Sequence, residues 1–196
     1  NLLISFNSII NHYIYFMFVQ TEITPNPNSL KFLPGKTVSK DGSFEVTKKG
    51  EIDNELVRNI LSISGVTGVF LGTDFLSINK TENIEWEEIK HIAISLINEF
   101  YSSGKEFVIE GSLLKENKSD FIEIEKRIIN ILDTKIRPAV AKDGGDIKFK
   151  EFKDGVVKVE LQGSCSGCPS STMTLKQGVQ NLLCHYLPEV KEVVAV

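Results

Sequence analysis

Two of the three cysteines in this 196-residue chain, Cys165 and Cys168, lie three positions apart in the segment GSCSGCPSS (163–171). Two thiolates at this spacing can bind a soft metal or an iron–sulfur cluster, or can cycle between dithiol and disulfide. Four ligands are usual for a structural zinc ion or a cubane cluster, so the pair supplies half of such a site. The spacing alone leaves four possibilities: an iron–sulfur cluster, a zinc ion, a redox pair and two buried structural thiols.

The residues around this pair are small. Gly163, Ser164, Ser166 and Gly167 flank the cysteines, and a helix is predicted to begin just after them. Small residues let backbone N–H groups approach sulfur, and the start of a helix favours thiolates over thiols. The loop therefore suits soft-metal ligation. A thioredoxin-like redox pair is instead expected near a βαβ unit, whereas two antiparallel strands are predicted before this loop.

The third cysteine, Cys184, lies sixteen residues after Cys168. Along a helix this separation is roughly 24 Å at about 1.5 Å per residue, so Cys184 cannot join the same site. We expect it to be a small buried hydrophobic residue. The simplest four-thiolate site takes Cys165 and Cys168 from each of two chains. A half-exposed cluster with only two ligands per chain is easy to hand over, which suits a carrier.

The hydrophobic pattern predicts two small α+β domains. The first has the order ββαββα, and residues 36–50 are predicted to be a loop. Its strands are predicted at 17–23, 30–33, 65–71 and 74–80, and its helices at 54–63 and 86–104. Residues 105–119 are the expected linker, because charged and small residues increase there and the periodicity fades.

The second domain has the predicted order αββαβ, with the cysteine loop before its last long helix. Its helices are predicted at 120–137 and 170–187, and its strands at 146–152, 156–162 and 190–196. Asp154-Gly155 predicts a hairpin between the first two of these strands, and Pro138 is expected to kink the first helix. The last helix is expected to direct four residues to the core: Leu175, Val179, Leu182 and Tyr186.

The composition excludes several classes of protein. The net charge is −4 and no run of Lys or Arg occurs, so we expect no nucleic-acid partner. Three cysteines are too few for a disulfide scaffold and favour a reducing compartment. Residues 1–16 lack charged side chains, a secretory signal and Arg, and are too short to span a membrane comfortably. We expect translation to start at Met17, with residues 1–16 as upstream sequence or an extension.

Three segments together resemble one known family. GSCSGCPSSTMTLKQGVQNLL is similar to the cluster-binding segment of NifU-like C-terminal domains. LDTKIRPAVAKDGGDIKF resembles the helix, turn and strand that precede that segment. MFVQTEITPNPNSLKFLPG resembles the opening of the Nfu N-terminal domain. The match runs in order from Met17 through both predicted domains, and it is far more specific than the cysteine spacing alone.

The resemblance implies an Nfu-type iron–sulfur carrier that is not an enzyme. It implies a 4Fe–4S cluster shared between two protomers of a homodimer, and two such cysteine pairs could also hold a 2Fe–2S cluster. The ligands carry over to Cys165 and Cys168, with Gly163, Ser164, Ser166 and Gly167 as the supporting loop. The implied domains are an Nfu N-terminal domain at 17–104 and a NifU-like domain at 120–196.

The implied partners are apo iron–sulfur enzymes, which receive the cluster, and an upstream assembly scaffold. We expect no membrane partner. The family occurs in bacteria and mitochondria, and the lack of an Arg-rich leader favours the bacterial cytoplasm over the mitochondrial matrix. The alternative functions for the same cysteines are a thiol–disulfide oxidoreductase and a zinc-binding interaction module.

Other residues have both a structural and a functional interpretation. Residues 143–146, DGGD, are expected to form a turn, or else to shape the cluster environment or contact a partner. Residues 24–29, TPNPNS, are expected to form a turn, with a docking surface as the alternative. Trp86 is expected in the core or at its edge. None of the histidines has a partner at ligand spacing, so none is expected to bind metal: His12, His91 and His185.

Overall fold

The structure is a computed structural model that describes residues 19–40, 42–107, 122–166 and 169–196, and only the backbone of residues 169–172. The chain forms two α+β domains, each with its own hydrophobic core. The predicted fold class is therefore confirmed. The predicted extension at 1–16 and residues 108–119 of the predicted linker lie outside the described residues.

The N-terminal domain is a five-stranded sheet with two helices. Its strands are β1 (Gln20–Ile23), β2 (Ser29–Leu33), β3 (Phe44–Val46), β4 (Val66–Leu71) and β5 (Leu76–Lys80), and its helices are α1 (Glu55–Ile60) and α2 (Trp86–Ser102). The spatial order is β1-β2-β5-β4-β3, and all neighbouring strands are antiparallel. Alternate strand residues form one core with both helices: Leu30, Phe32, Val69, Leu71, Leu76 and Ile78. The intervening residues face the other side of the sheet.

The strand β3 corrects the prediction that residues 36–50 are a loop. Phe44 and Val46 are buried, and β3 pairs with β4 from Phe44↔Leu71 to Val46↔Val69. The three residues of β3 are too short a stretch for alternation to be recognised in the sequence. The first domain therefore has the order βββαββα.

Local capping sets the start of both helices. Asn54 caps α1, since its side-chain oxygen accepts a hydrogen bond from the Val57 N–H at 3.1 Å. Glu85 and Glu88 form a capping box at the start of α2. Beyond α2, Gly104 has a φ of 72°, a left-handed conformation that favours glycine at a helix end.

The C-terminal domain combines a helical segment, a three-stranded sheet and a long helix. The elements are α3 (Glu123–Ile131), a π-helical turn (Leu132–Ile136), α4 (Arg137–Lys142), β6 (Gly145–Lys153), β7 (Val156–Gly163), α5 (Pro169–Tyr186) and β8 (Glu192–Ala195). The sheet order is β6-β7-β8, with β6 antiparallel and β8 parallel to β7. Asp154 and Gly155 have φ values of 54° and 87°, so the predicted Asp-Gly hairpin turn is confirmed.

The helix that was expected to kink at Pro138 continues past this proline to Lys142, and the π-helical turn ends two residues before it. Because proline lacks an N–H group, the regular helical hydrogen bond is missing at this point. One detail of this domain differs from the predictions. Tyr186 was expected in the core but is 47% exposed. Three residues on one face of α5 and just after it are fully buried, and they recur every four positions: Val179, Leu183 and Leu187. Tyr186 does not lie on this face of the helix.

No helix within the described ranges has the length and apolar character needed to cross a bilayer.

Candidate functional site

Cys165 lies at the junction of β7 and α5. The strand ends at Gly163, whose φ of 66° turns the chain. The Ser166 N–H donates to the Gly163 carbonyl at 3.1 Å and closes a tight turn around Cys165. The helix α5 begins at Pro169, so the predicted placement between a strand and a helix is confirmed. Gly167 and Cys168 lie outside the described residues.

Cys165 is 7% exposed and lines a cavity of about 360 Å³. The other lining residues come from both domains: Pro25, Val140, Asp143, Ser164, Thr174 and Leu175. The cavity provides space for a group larger than a water molecule next to the cysteine loop.

Gly145 makes room for the cysteine side chain. A Cβ atom at this position would lie 2.7 Å from Cys165 Sγ and 2.6 Å from the Gln162 carbonyl oxygen. Any residue other than glycine would push the sulfur or the neighbouring strand away. Gly144 has a φ of 85° and forms the turn itself. Residues 143–146 therefore form the expected turn, and Gly145 lies against Cys165. A role of this segment toward a cluster or a partner stays a prediction.

Ser164 fastens the cysteine loop to this turn. Its Oγ donates to the Asp143 carbonyl, and its N–H donates to the Gly144 carbonyl at 3.2 Å. The same Oγ lies 3.9 Å from Cys165 Sγ. These hydrogen bonds hold the cysteine loop against the start of β6 and so limit the positions that the Cys165 sulfur can adopt.

An ion pair between the half-buried Arg137 and the buried Asp146 anchors the other side of the turn. Arg137 donates to both oxygens of Asp146, from Nε at 2.7 Å and from Nη2 at 2.6 Å. Its Nη1 donates to Asp133 at 3.0 Å. These carboxylates, Asp146 first, hold the pKa of Arg137 above its ordinary value, although burial acts in the opposite direction. Ser43 of the N-terminal domain also donates to Asp146.

The turn of residues 24–29 contacts the cysteine loop. Thr24 Oγ1 donates to the Ser29 carbonyl at 2.9 Å and accepts from the Asn26 N–H at 3.2 Å, which closes the turn. The Asn26 amide donates to the carbonyls of Ser164 at 3.0 Å and Ser166 at 3.3 Å. The segment is therefore a structural turn and also a contact surface for the cysteine loop.

Glu45 is a residue that sequence reasoning missed. Its Oε1 accepts hydrogen bonds from the Gly163 N–H at 3.3 Å and from Ser166 Oγ at 3.1 Å. Burial raises the pKa of Glu45 above its ordinary value, whereas these two hydrogen bonds lower it. Glu45 belongs to the stretch predicted to be a loop, and no pattern in the sequence indicated its contact with the cysteine loop.

The remaining candidates lie away from the cysteine loop. Cys184 is partly buried and packs against the C-terminal core. His91 and His185 are exposed. Trp86 packs against the N-terminal core, and its Nε1 donates to the Pro27 carbonyl at 2.9 Å. Across the described ranges, no three His, Cys, Asp or Glu side chains come together in a group that could hold a metal ion.

Comparison with solved structures gives partial likenesses. A crystal structure of a Staphylococcus aureus protein is 25% identical with a TM-score of 0.37, over 39% of this chain and 93% of that one. The solution structure of a NifU-like protein from Saccharomyces cerevisiae is 29% identical with a TM-score of 0.42, over 48% of this chain and 85% of that one.

Comparison with protein sequences gives long matches. Residues 19–104 match the family model "Scaffold protein Nfu/NifU N terminal", and residues 128–194 match the model "NifU-like domain". The human protein "NFU1 iron-sulfur cluster scaffold homolog, mitochondrial" is 43% identical over 185 residues, which are 93% of this chain and 73% of that protein. "NifU-like protein 4, mitochondrial" of Arabidopsis thaliana is 41% identical over 187 residues, 90% of this chain and 65% of that protein. The chain therefore belongs to the Nfu family, with an Nfu N-terminal domain followed by a NifU-like domain.

Proposed function

We propose that this chain is an iron–sulfur cluster scaffold and carrier, in which two copies share one cluster. Relatives that are named iron–sulfur cluster scaffolds support a role in cluster assembly. The observation that carries the proposal is the position of Cys165. It lies where β7 meets α5, beside a cavity and beside a glycine that leaves space for its sulfur.

The proposed ligands are Cys165 and Cys168. Thiolates are soft ligands that prefer iron–sulfur clusters, zinc and Cu(I) to hard cations. Each thiol must lose its proton to bind, and the start of α5 directly after Cys168 favours the thiolate form. Gly163, Ser164, Ser166 and Gly167 form the supporting loop, and small residues there allow backbone N–H groups to approach sulfur.

Two chains complete the proposed site. One chain supplies two thiolates, and a cluster of the 4Fe–4S or 2Fe–2S type takes four, so a second copy supplies the others. We propose the 4Fe–4S cluster as the cargo. Since each copy holds the cluster through only two sulfurs, the cysteines of a recipient can replace those of one copy at a time. This arrangement favours transfer over permanent storage.

The proposed partners are an upstream scaffold that supplies the cluster and apo-enzymes that receive it. The chain binds and releases its cargo without converting a substrate, so we propose a carrier and not an enzyme, in keeping with the scaffold names of its relatives. The proposed units are an N-terminal domain at 17–104, a linker at 105–119 and a cluster-binding domain at 120–196. We propose neither a nucleic acid nor a membrane as a partner.

The names of the relatives support one cellular compartment for this chain. The human and Arabidopsis relatives are named as mitochondrial proteins, which supports the mitochondrial matrix, the alternative considered from the sequence. The bacterial cytoplasm, expected first, has no such support. That expectation depended on the residues at the start of this sequence, and these do not decide a compartment.

A transfer assay tests the proposed function. The chain is reconstituted with iron and sulfide under anaerobic conditions and mixed with an apo-enzyme that requires a 4Fe–4S cluster. We expect enzyme activity to return even when a chelator of free iron is present, because the cluster passes from thiolate to thiolate. The control contains the same iron and sulfide without the chain. Recovery that the chelator blocks equally in both samples would show that the chain does not deliver clusters.

A further inference from the structure

The outer face of the N-terminal sheet is covered by the C-terminal domain. Lys31, Ser77, Phe70 and Glu45 are successive cross-strand neighbours on β2, β5, β4 and β3, and form one row across this face. Asn79 lies two residues beyond Ser77 and on the same face of β5. These five residues form the docking face. Lys31, Phe70 and Ser77 are buried, whereas polar residues on the open face of an antiparallel sheet normally meet water.

The docking face binds the turn at residues 142–146. Ser77 Oγ donates to the Gly144 carbonyl at 2.7 Å, and Lys31 Nζ donates to the Lys142 carbonyl at 3.1 Å. Both acceptors are backbone carbonyls of the turn that makes room for Cys165. The docking face therefore contacts the backbone of this turn through two hydrogen bonds.

The docking face also binds the cysteine loop itself. Asn79 Nδ2 donates to the Gly163 carbonyl at 3.2 Å, and Glu45 accepts from the Gly163 N–H at 3.3 Å. Both polar groups of the Gly163 backbone are thus satisfied by side chains of the N-terminal domain. Ser166 Oγ, on the other side of Cys165, donates to the same Glu45 oxygen at 3.1 Å.

Two glycines allow this close approach. A Cβ atom at Gly144 would lie 2.8 Å from Ser77 Oγ, and one at Gly163 would lie 2.9 Å from Phe70 Cγ. Gly163 was expected to allow the backbone to approach a cluster. In this structure the same glycine allows the docking face to approach the loop, so its lack of a side chain already serves the contact between domains.

The contact between the two domains has features of an interface that can open. Hydrogen bonds contribute much of it, and a cavity of about 370 Å³ lies between residues 42–43 and 70–75 of the N-terminal domain and residues 133–146 of the C-terminal domain. Polar, incompletely packed interfaces between domains resemble transient protein–protein interfaces. Separation of the domains would expose Phe70 together with the polar groups of the docking face.

The docked arrangement does not suit a shared cluster. Cys165 is 7% exposed and packs with the C-terminal core, and the N-terminal domain contacts the residues on both sides of it, Ser164 through Asn26 and Ser166 through Asn26 and Glu45. A cluster bridging two copies requires both cysteine loops to meet. The Glu45 carboxyl also lies against the loop, where a negative charge would repel thiolates and their cluster. Docking and sharing a cluster are therefore competing arrangements of the same loop.

We propose that the N-terminal domain is a removable cover for the cysteine loop. The docking face holds the loop in the unloaded chain and releases it when two loops share a cluster. The release of the loop when a cluster binds rests on the proposed function above. The covering of the loop in the unloaded chain does not.

The cover is tested by the reactivity of Cys165 in the full chain. The substitutions Cys168→Ser and Cys184→Ser leave Cys165 as the single thiol, and intact mass follows its alkylation by iodoacetamide. Asn79→Asp keeps the shape of the side chain but places an oxygen against the Gly163 carbonyl and against Glu45, which the Asn79 amide contacts at 3.4 Å. We expect alkylation about tenfold faster, since the loss of one such contact weakens docking by about 1.4 kcal/mol.

The matched control is Asn59→Asp, which adds the same charge at an exposed position of α1. It should leave the alkylation rate at the parent value. Ser77→Ala removes the donor to the Gly144 carbonyl without adding charge, and it should increase the alkylation rate about fivefold. This variant tests the proposed cover if Asn79→Asp does not fold. Equal rates of Cys165 alkylation in the parent and in a folded docking-face variant would refute the proposal that the N-terminal domain covers the cysteine loop.

Release on loading is tested with all cysteines present. Asn79→Asp should take up iron and sulfide faster than Asn59→Asp. The Lys31 amine, which donates to the Lys142 carbonyl from a side chain that is 9% exposed, should be acetylated faster after loading. An unchanged Lys31 acetylation rate in a loaded chain would refute release. A chain that never loads would refute the proposed function, and the alkylation rates would still decide the cover.

Discussion

Replacing Cys165 with serine should abolish cluster binding while the chain keeps its fold. A serine hydroxyl is a poor ligand at neutral pH, so a dimer of this variant has two thiolates where a cluster takes four. We expect bound iron to fall from about four per dimer to the background level after anaerobic reconstitution. The oxygen atom is smaller than sulfur and fits the space beside Gly145, so the circular dichroism spectrum should match that of the parent.

Cys184→Ser is the matched control, because it makes the same chemical change in α5 at a partly buried position that packs against the core. It should bind as much iron as the parent. Normal iron binding by Cys165→Ser would refute the ligand assignment. Loss of iron in a folded Cys184→Ser variant would show that the third cysteine belongs to the site.

Asp146→Asn should cause a large loss of stability. The Asp146 side chain is 6% exposed, and the substitution leaves Arg137, which is 34% exposed, without its bidentate partner. We expect the free energy of unfolding to fall by about 2–3 kcal/mol, since water reaches Arg137 and offsets part of the cost. Urea unfolding followed by circular dichroism measures this change.

Asp133→Asn provides the comparison, since Asp133 pairs with the same arginine from a side chain that is 36% exposed. An exposed i,i+4 pair contributes only about 0.3–0.5 kcal/mol. The two substitutions should therefore differ severalfold in their effect. Equal effects would mean that burial of Asp146 does not determine the strength of its interaction with Arg137.

Local signals explain what the sequence could predict. The position of the cysteine loop between a strand and a helix is predictable, because period-2 alternation ends at Gly163 and helical periodicity begins soon after. The Asp154-Gly155 hairpin was predictable because the turn needs two residues with positive φ, and both residues have it here. Each of these features depends on residues close together in the sequence.

Long-range contacts explain what the sequence could not predict. The hydrogen bond of Gly163 to Glu45 joins residues 118 positions apart, and that of Asn26 to Ser164 joins residues 138 positions apart. No periodicity or motif in the sequence indicates hydrogen bonds between residues so far apart. The strand Phe44–Val46 was missed for a related reason: its three residues gain their structure from pairing with β4.

The central claim is that two copies of this chain share one cluster through Cys165 and Cys168. Its most direct test is anaerobic reconstitution with iron and sulfide, followed by size measurement and analysis of both elements in the same fraction. We predict about four irons and about four sulfides per dimer, with broad visible absorption. A monomer that binds no iron and instead forms a readily reducible disulfide between Cys165 and Cys168 would contradict the account.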